Sequence, residues 1–299
     1  MKLNFGLNDR NLAKLFLLPS ILIILCLDLY PLIYVFITSF QTKSLFDLAY
    51  DFNFNGLVNY LSIFKDKDFL VALKNSLVWT AGTTLSELTI GVTLAFLLNR
   101  NFKFRNLARA LLIIPYVVPA IVSTLIWRFM YNDLVGLINY ILQVLNIIKE
   151  PVSFLANPRL AMLVVISVNV WTYTPFVIIS TLAALQNIDT TLYDAAAVDG
   201  ANNRQVFFNI IIPKLAPILT IVLLLRTVWN FQKFDIIWLM TKGGPLTSTT
   251  TLPVIIFSEV FTSYDAGRSS AMAIIILVLL AILAMLYIKV YEKMEDRIS

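Results

Sequence analysis

Residues 194–219 read DAAAVDGANNRQVFFNIIIPKLAPIL. Just upstream, Asp189 can accept the orphan N–H groups of a helix beginning at Thr190. Ala195, Ala196 and Ala197 favour that helix and add no bulk. Gly200 suits the left-handed position that ends it. Asn202 or Asn203 can cap a second helix carrying Val206, Phe207, Ile210 and Ile211, and Pro213 is expected to stop it. The stretch therefore predicts two short helices at an angle, with a small-residue face and an aromatic edge. A simple connection would need only a few polar residues, whereas this one is long and amphipathic enough to be held by something. Such a hairpin lies either on a lipid surface or against a protein. Lipid-facing helices carry Lys and Arg on their polar side. Here Asp194 and Asp199 stand with Arg204 as the only base before Lys214, which favours a protein partner.

On both sides of this hairpin the chain is apolar. Its 299 residues are 59% hydrophobic and 14% charged, with a mean hydropathy of +0.81. Soluble domains lie near 45–50% apolar and about 25% charged. The composition is that of an integral membrane protein, read as a single transmembrane domain over residues 1–299. A helix needs about 20 apolar residues to cross the hydrocarbon core. Six runs meet that length, at about 13–39, 75–98, 107–130, 159–185, 215–240 and 269–290. They must be helical, because lipid cannot satisfy free backbone groups. The fold class is thus all-α with six transmembrane helices. The first run is too long for a signal-peptide core and lacks a small-residue cleavage site, so it reads as an uncleaved span.

Basic residues orient the spans. The N-terminus, the 99–109 and 186–214 loops and the C-terminus, flanks included, carry 12 Lys/Arg against 7 acids. The opposite loops carry 8 against 8. Arg100, Lys103, Arg105 and Arg109 stand in one short loop with no acid. Both termini and the 186–214 loop are expected in the cytoplasm.

Several chemistries are excluded. Histidine is absent and Cys26 stands alone, so no disulfide within the chain and no Cys/His zinc site can form, and no metal site is expected. No Ser–His pair is possible, and with no histidine and few acids a proton relay is a poor fit. The phosphate-loop pattern GxxxxGK[ST] is absent, so any ATP-driven work requires another subunit. The charge of +5 is explained by cytoplasmic Lys and Arg and implies no nucleic-acid partner.

Asp194-Ala195-Ala196, three residues, Gly200, nine residues and Ile210-Ile211-Ile212-Pro213 resemble the Glu-Ala-Ala…Gly…Ile-x-Leu-Pro loop of bacterial ABC importer permeases. Asp for Glu at 194 and Ile for Leu at 212 depart conservatively. The resemblance extends along nearly the whole chain. It includes "LYPLIYVFITSF" (29–40), "NYLSIF" (59–64), "NSLVWT" (75–80), "PYVVPAIVSTLIWRFMYN" (115–132), "GLIN" (136–139) and "RTVWNFQKFDIIWLMTKGGP" (226–245). These pieces are similar to carbohydrate importers of the maltose type.

The resemblance implies the type I importer permease fold and a binding-protein-dependent sugar transport system, in a bacterial or archaeal cytoplasmic membrane. It implies as partners a second, related permease, two ATPase subunits, an extracytoplasmic solute-binding protein, a sugar and membrane lipid. ATP and magnesium would be bound by the ATPase, with no cofactor in this chain. It assigns ATPase coupling to Asp194, Ala195, Ala196, Asp199, Gly200, Phe207, Ile210 and Pro213. It implies alternating access, in which ATPase closure pulls on this loop.

Polar residues inside spans are substrate candidates. Asn169, Trp171, Thr172 and Tyr173 stand in span four, and Trp229 and Asn230 in span five. Counted from the coupling motif, Asn169, Tyr173, Trp229 and Asn230 fall where maltose-type permeases line their sugar pocket. Asn and Tyr also bridge packed helices, which is the alternative role. Asp28, Glu87, Arg128, Arg226, Lys233 and Asp235 lie in or near spans. Glu87 is the costly one, to be paired with Arg226 or Arg128 or turned to water. Two other transport readings remain. One is a permease for a phosphorylated polyol such as glycerol 3-phosphate, which Arg128 or Arg226 facing the cavity would favour. The other is an ion-coupled secondary transporter, which leaves the hairpin unexplained and would be expected to show internal repeats.

Overall fold

The computed structural model describes residues 9–46 and 53–295, and every regular element among them is helical. In chain order these are α1 (Asp9–Ile24), a π turn (Leu25–Leu29), α2 (Tyr30–Thr38), α3 (Val58–Lys65) and α4 (Lys67–Asn99). Then come α5 (Arg105–Val117), α6 (Ala120–Met130), α7 (Leu137–Val144), α8 (Ala161–Gln186) and α9 (Thr190–Val198). The chain continues through α10 (Asn203–Val206), a second π turn (Phe207–Ile211), α11 (Ile212–Phe231), α12 (Asp235–Thr241), α13 (Leu252–Phe261) and α14 (Ala266–Glu295).

Five helical stretches are long and apolar enough to cross a membrane: Phe16–Thr38, Lys67–Asn99, Ala161–Gln186, Asn203–Phe231 and Ala266–Lys293. They correspond to the expected spans at 13–39, 75–98, 159–185, 215–240 and 269–290. The chain termini, expected in the cytoplasm, lie outside the described residues.

Two expectations are corrected, and a further run is bent. The run 107–130 is carried by α5 and α6, which meet at 95° and together are apolar and long enough to make the sixth span. Val118 between them is extended, at φ −69° and ψ 131°. The ring of Pro119 disfavours a helical conformation in the residue before it and supplies no N–H. The run 215–240 is also broken, at Gln232–Phe234, where α11 ends and α12 begins with Asp235 in its first turn. A carboxylate there complements the partial positive charge of a helix start. Finally, Pro213 does not stop the second hairpin helix, since Asn203–Phe231 runs through it without a break. The π turn explains this. The Ile212 N–H reaches back to the Phe207 carbonyl, five residues away, and Pro213 sits at the first turn of α11. The missing proline N–H costs nothing in a first turn.

The chain divides into two compact units. One takes 1–66 and 256–277. Within it the apolar side chains between Phe16 and Ile37 are largely exposed. The segment after α2 exchanges backbone hydrogen bonds with the approach to α14, Leu45 N–H to Tyr264 O at 2.8 Å and Ala266 N–H to Lys43 O at 2.9 Å. Arg268 pairs with Asp66 and lies 3.5 Å from Glu259.

The other unit takes 67–255 and 278–299 and is built on α4 packed along α8. Helices in lipid associate through close packing and interhelical hydrogen bonds, so small residues mark their contacts. At Gly91 a Cβ would stand 2.6 Å from Val177 Cβ. Trp79, Val165, Val168, Ile236 and Ile237 form one buried cluster. Ala95, Leu98, Ile178, Leu185 and Leu215 form a second. Along α4, the stretch between them carries Thr84 and Glu87, and a polar centre forms there.

Candidate functional site

The hairpin is stopped and restarted by four local devices. The Asp189 carboxylate accepts the Thr191 N–H at 2.9 Å and caps α9. That hydrogen bond holds the Asp189 carboxyl below the usual carboxylate range. α9 closes with paired bonds from Gly200 N–H to Ala197 O at 3.2 Å and Ala201 N–H to Ala196 O at 2.9 Å. This is a Schellman ending, and it places Gly200 at φ +73°. Asn202, of the two caps expected, opens α10 in a capping box with Gln205, with bonds of 3.0 and 2.8 Å. The π turn then passes the chain into α11.

Along the hairpin, Asp194, Ala195, Asp199 and Gly200 are exposed, whereas Ala196 is turned into the chain. Val198 is 88% exposed, an apolar side chain left at the tip. Phe207 packs on Phe96 of α4, with ring centroids 5.4 Å apart, and on Phe208. Ile210 and Pro213 are half-buried at the root of α11. Sequence reasoning located the hairpin and the left-handed Gly200 that ends α9, but the capping box was not read from it. Asn202 with Gln205 three residues on was the visible signal for that box.

The polar centre is built from α4, α8 and α11. Arg226 Nε donates to Glu87 Oε2 at 2.6 Å, and an Arg226 Nη to Glu87 Oε1 at 2.8 Å. The side chains are 3% and 0% exposed. The same Nη donates to Asn230 Oδ1 at 2.9 Å. Asn169 Nδ2 donates to Glu87 Oε1 at 2.8 Å and to Asn230 Oδ1 at 3.1 Å. Asn230 Nδ2 donates to Thr84 Oγ1 at 3.0 Å and Glu87 Oε2 at 3.2 Å. Trp79 Nε1 donates to the Asn230 carbonyl at 2.8 Å. Asn169 Oδ1 is buried without a partner.

Aromatic rings cover one side of this centre. The Arg226 guanidinium lies 4.8 Å from the Tyr173 ring centroid and 5.8 Å from that of Trp229. Trp229 is 44% exposed and stacks edge-on with Phe176. Lys233 Nζ donates to the Tyr173 hydroxyl at 2.6 Å and lies 3.5 Å from Asp235.

All four residues expected at the sugar pocket therefore meet here, Asn169 and Asn230 inside the network and Tyr173 and Trp229 beside it. Thr172 does not join them, since its hydroxyl bonds the Val168 carbonyl of its own helix. Trp171 packs on Trp127 instead. Of the two candidate partners for Glu87, Arg226 takes the role, and Arg128 donates to the Leu239 carbonyl at 3.0 Å. Thr84 and Trp79 of the second span were missed, although the signal, a hydroxyl or indole N–H inside a span, was the one that singled out Thr172 and Trp171 in the fourth. A largely apolar cavity of about 560 Å³ lies between α4, α5 and α8 against Trp171, Ser167 and Pro115. None of the four expected pocket residues lines it.

Residues 87–296 match the family described as "Binding-protein-dependent transport system inner membrane component". The trehalose/maltose transport system permease protein MalF of Thermococcus litoralis is 33% identical over 288 residues, covering 96% of each chain. The sn-glycerol-3-phosphate transport system permease protein UgpA of Agrobacterium fabrum is 29% identical, covering 95% of this chain and 96% of that one. Among solved structures, a bacterial alginate ABC transporter in complex with an alginate pentasaccharide-bound periplasmic protein has a chain that superimposes with a TM-score of 0.82. It is 22% identical and covers 96% of each chain. That likeness is one of fold.

Proposed function

The chain belongs to the binding-protein-dependent transport system inner membrane components, the permease subunits of ABC importers, and from that premise we propose that it forms half of a sugar pathway worked through the 186–214 hairpin. It is a multi-pass membrane protein. The observation that carries the coupling reading is the hairpin itself, capped at both helix starts, closed at Gly200 and continuous with α11. A push on its exposed tip is delivered to a membrane span without a flexible joint. Packed helices convert such a push into a switch between discrete arrangements.

On this reading an ATPase subunit holds the hairpin from the cytoplasm and binds ATP and magnesium itself. A second, related permease completes the pathway, and a solute-binding protein delivers the cargo from outside. The fold neighbour in complex with an alginate pentasaccharide-bound periplasmic protein supports that last partner. The basic 99–109 loop supports a cytoplasmic hairpin and termini, in a bacterial or archaeal cytoplasmic membrane. The trehalose/maltose relative supports a sugar as cargo. Asn169, Tyr173, Trp229 and Asn230 are the proposed lining, offering amides for hydroxyls and ring faces for the apolar side of a sugar. The glycerol-3-phosphate relative keeps a phosphorylated polyol as second reading.

The test is uptake by proteoliposomes that hold the assembled complex. Uptake of receptor-delivered sugar is expected to require ATP on the hairpin side and to survive a protonophore. Uptake that follows an ion gradient and ignores ATP overturns the proposal.

A further inference from the structure

Charge is scarce where the proposed lining stands. α8 carries no charged residue, α4 carries only Glu87 after Lys74, and α11 only Arg226 after Lys214. These two pair through two hydrogen bonds out of solvent, and the guanidinium lies behind the rings of Tyr173 and Trp229. The next charges along the chain repeat the pattern. Lys233 holds the Tyr173 hydroxyl and is matched by Asp235 3.5 Å away, with side chains 20% and 37% exposed. Each cation that touches Tyr173 thus has its own carboxylate. The surface shown by Tyr173 and Trp229 is aromatic, with two paired cations against it, Arg226 buried and Lys233 partly exposed and 4.3 Å from the Tyr173 ring centroid.

We propose that Glu87 and Asp235 are specificity-determining positioning residues. By cancelling Arg226 and Lys233 beside the Tyr173–Trp229 surface, they set this site for uncharged polyhydroxylated ligands against phosphorylated or carboxylated ones. The inference rests on the reading of Tyr173 and Trp229 as cargo lining. Its physical basis is the weak screening of charge away from water. An arginine bound on two sides by one carboxylate offers an anion little attraction. The same arginine beside a neutral amide would draw one strongly, and so would Lys233 without Asp235. Glu87 also fixes both amides of the network, so it places Asn230 and Asn169 as well as balancing charge.

The experiment measures equilibrium binding of two probes, trehalose and trehalose 6-phosphate, to the assembled permease–ATPase complex in nanodiscs without the receptor. Wild type is expected to favour the uncharged sugar. Glu87→Gln keeps the side-chain shape and should move the affinity ratio toward the phosphate by about tenfold or more. Glu87→Gln leaves a buried cation uncompensated and can fail to assemble. Asp235→Asn, at the more exposed pair, tests the same balance and should move the ratio in the same direction. In the double variant Glu87→Gln/Arg226→Gln the wild-type preference should return. A wild type that prefers the phosphate overturns the proposal. So does an unchanged ratio in the variants that assemble, while the lining reading stands. Binding of neither probe by wild type and all variants overturns the lining reading and the proposal with it.

Discussion

At Glu87 the chain places a carboxylate where it is costly and then uses every one of its acceptors that the geometry reaches. Both oxygens are bonded, by Arg226, Asn169 and Asn230. A buried pair of this kind adds little net stability against an apolar pair of equal volume, because desolvation offsets attraction. Loss of one partner alone is different. Glu87→Ala should destabilise the folded permease by about 3–5 kcal/mol, since Arg226 is then left charged and dry. Glu87→Met/Arg226→Met should lose far less, or nothing, because no charge remains. Thermal unfolding of the purified complex, read by loss of the permease from solution, checks both. A double variant as unstable as Glu87→Ala would show that the pair, and not its balance, holds the helices. At this scale the sequence displayed the anomaly but not its solution. A lone acid inside an apolar run is visible in one dimension. Its partner is 139 residues away, and only the packing of α4 against α11 selects Arg226 over Arg128.

Elements were legible where hydropathy decides them and obscure where backbone chemistry does. α8 runs close to its expected limits and α4 and α14 contain theirs, α4 starting at Lys67 rather than at 75, because a greasy run in lipid has one solution. The break at Val118–Pro119 was hidden by the same measure, whereas the polar run Gln232-Lys233 before Asp235 was a visible dip that was read through as part of one span. Pro119 was in plain view and its effect on Val118 follows from sterics. Pro213 misled in the opposite direction, because the π turn before it absorbs the missing donor. Helix contact is governed by another residue type, and two glycines of α4 can be told apart. At Gly91 an added Cβ would meet the Cβ and Cγ1 of Val177 at 2.6 and 2.7 Å, on the branch point of a stiff side chain. At Gly82 it would meet the tip of Ile166 at 2.9 Å, which can rotate away. Gly91→Ala should therefore force α4 from α8 at a cost of about 1–3 kcal/mol, the usual range for overpacking. Gly82→Ala should be nearly neutral. Comparison of the two unfolding temperatures decides it, and equal losses would mean that α4 and α8 are not held at contact distance there.

For the whole molecule, the class of fold and the existence of a docking hairpin were readable, because the first follows from composition and the second from caps and glycine. That hairpin and pathway share one unbroken helix was not readable, because Pro213 was expected to end the second hairpin helix just before span five. Their continuity makes a coupling prediction sharper. The helical run Asn203–Phe231 starts in the hairpin and ends with Arg226 and Asn230 in the polar centre. At 1.5 Å per residue, Asn203 and Arg226 are about 35 Å apart along one rod. The direction of that rod is set by the turn at Gly200, which has φ +73° and open space where a side chain would go. A Cβ there meets no neighbour, so the cost expected of Gly200→Val is chiefly backbone strain, about 1–2 kcal/mol. That is too little to unfold spans whose hydropathy is unchanged, and enough to shift the hairpin out of its Schellman turn. Val198→Asp puts a charge on the 88% exposed apolar tip without touching the turn. Both variants should insert and assemble with the second permease, and sugar-loaded receptor should still dock. Receptor-stimulated ATP hydrolysis in proteoliposomes should fall sharply, with basal hydrolysis kept in Gly200→Val. Val198→Asp should also lose ATPase subunits during purification. If both variants respond to receptor as wild type does, the hairpin is not the joint, and the force on α11 must enter the chain elsewhere.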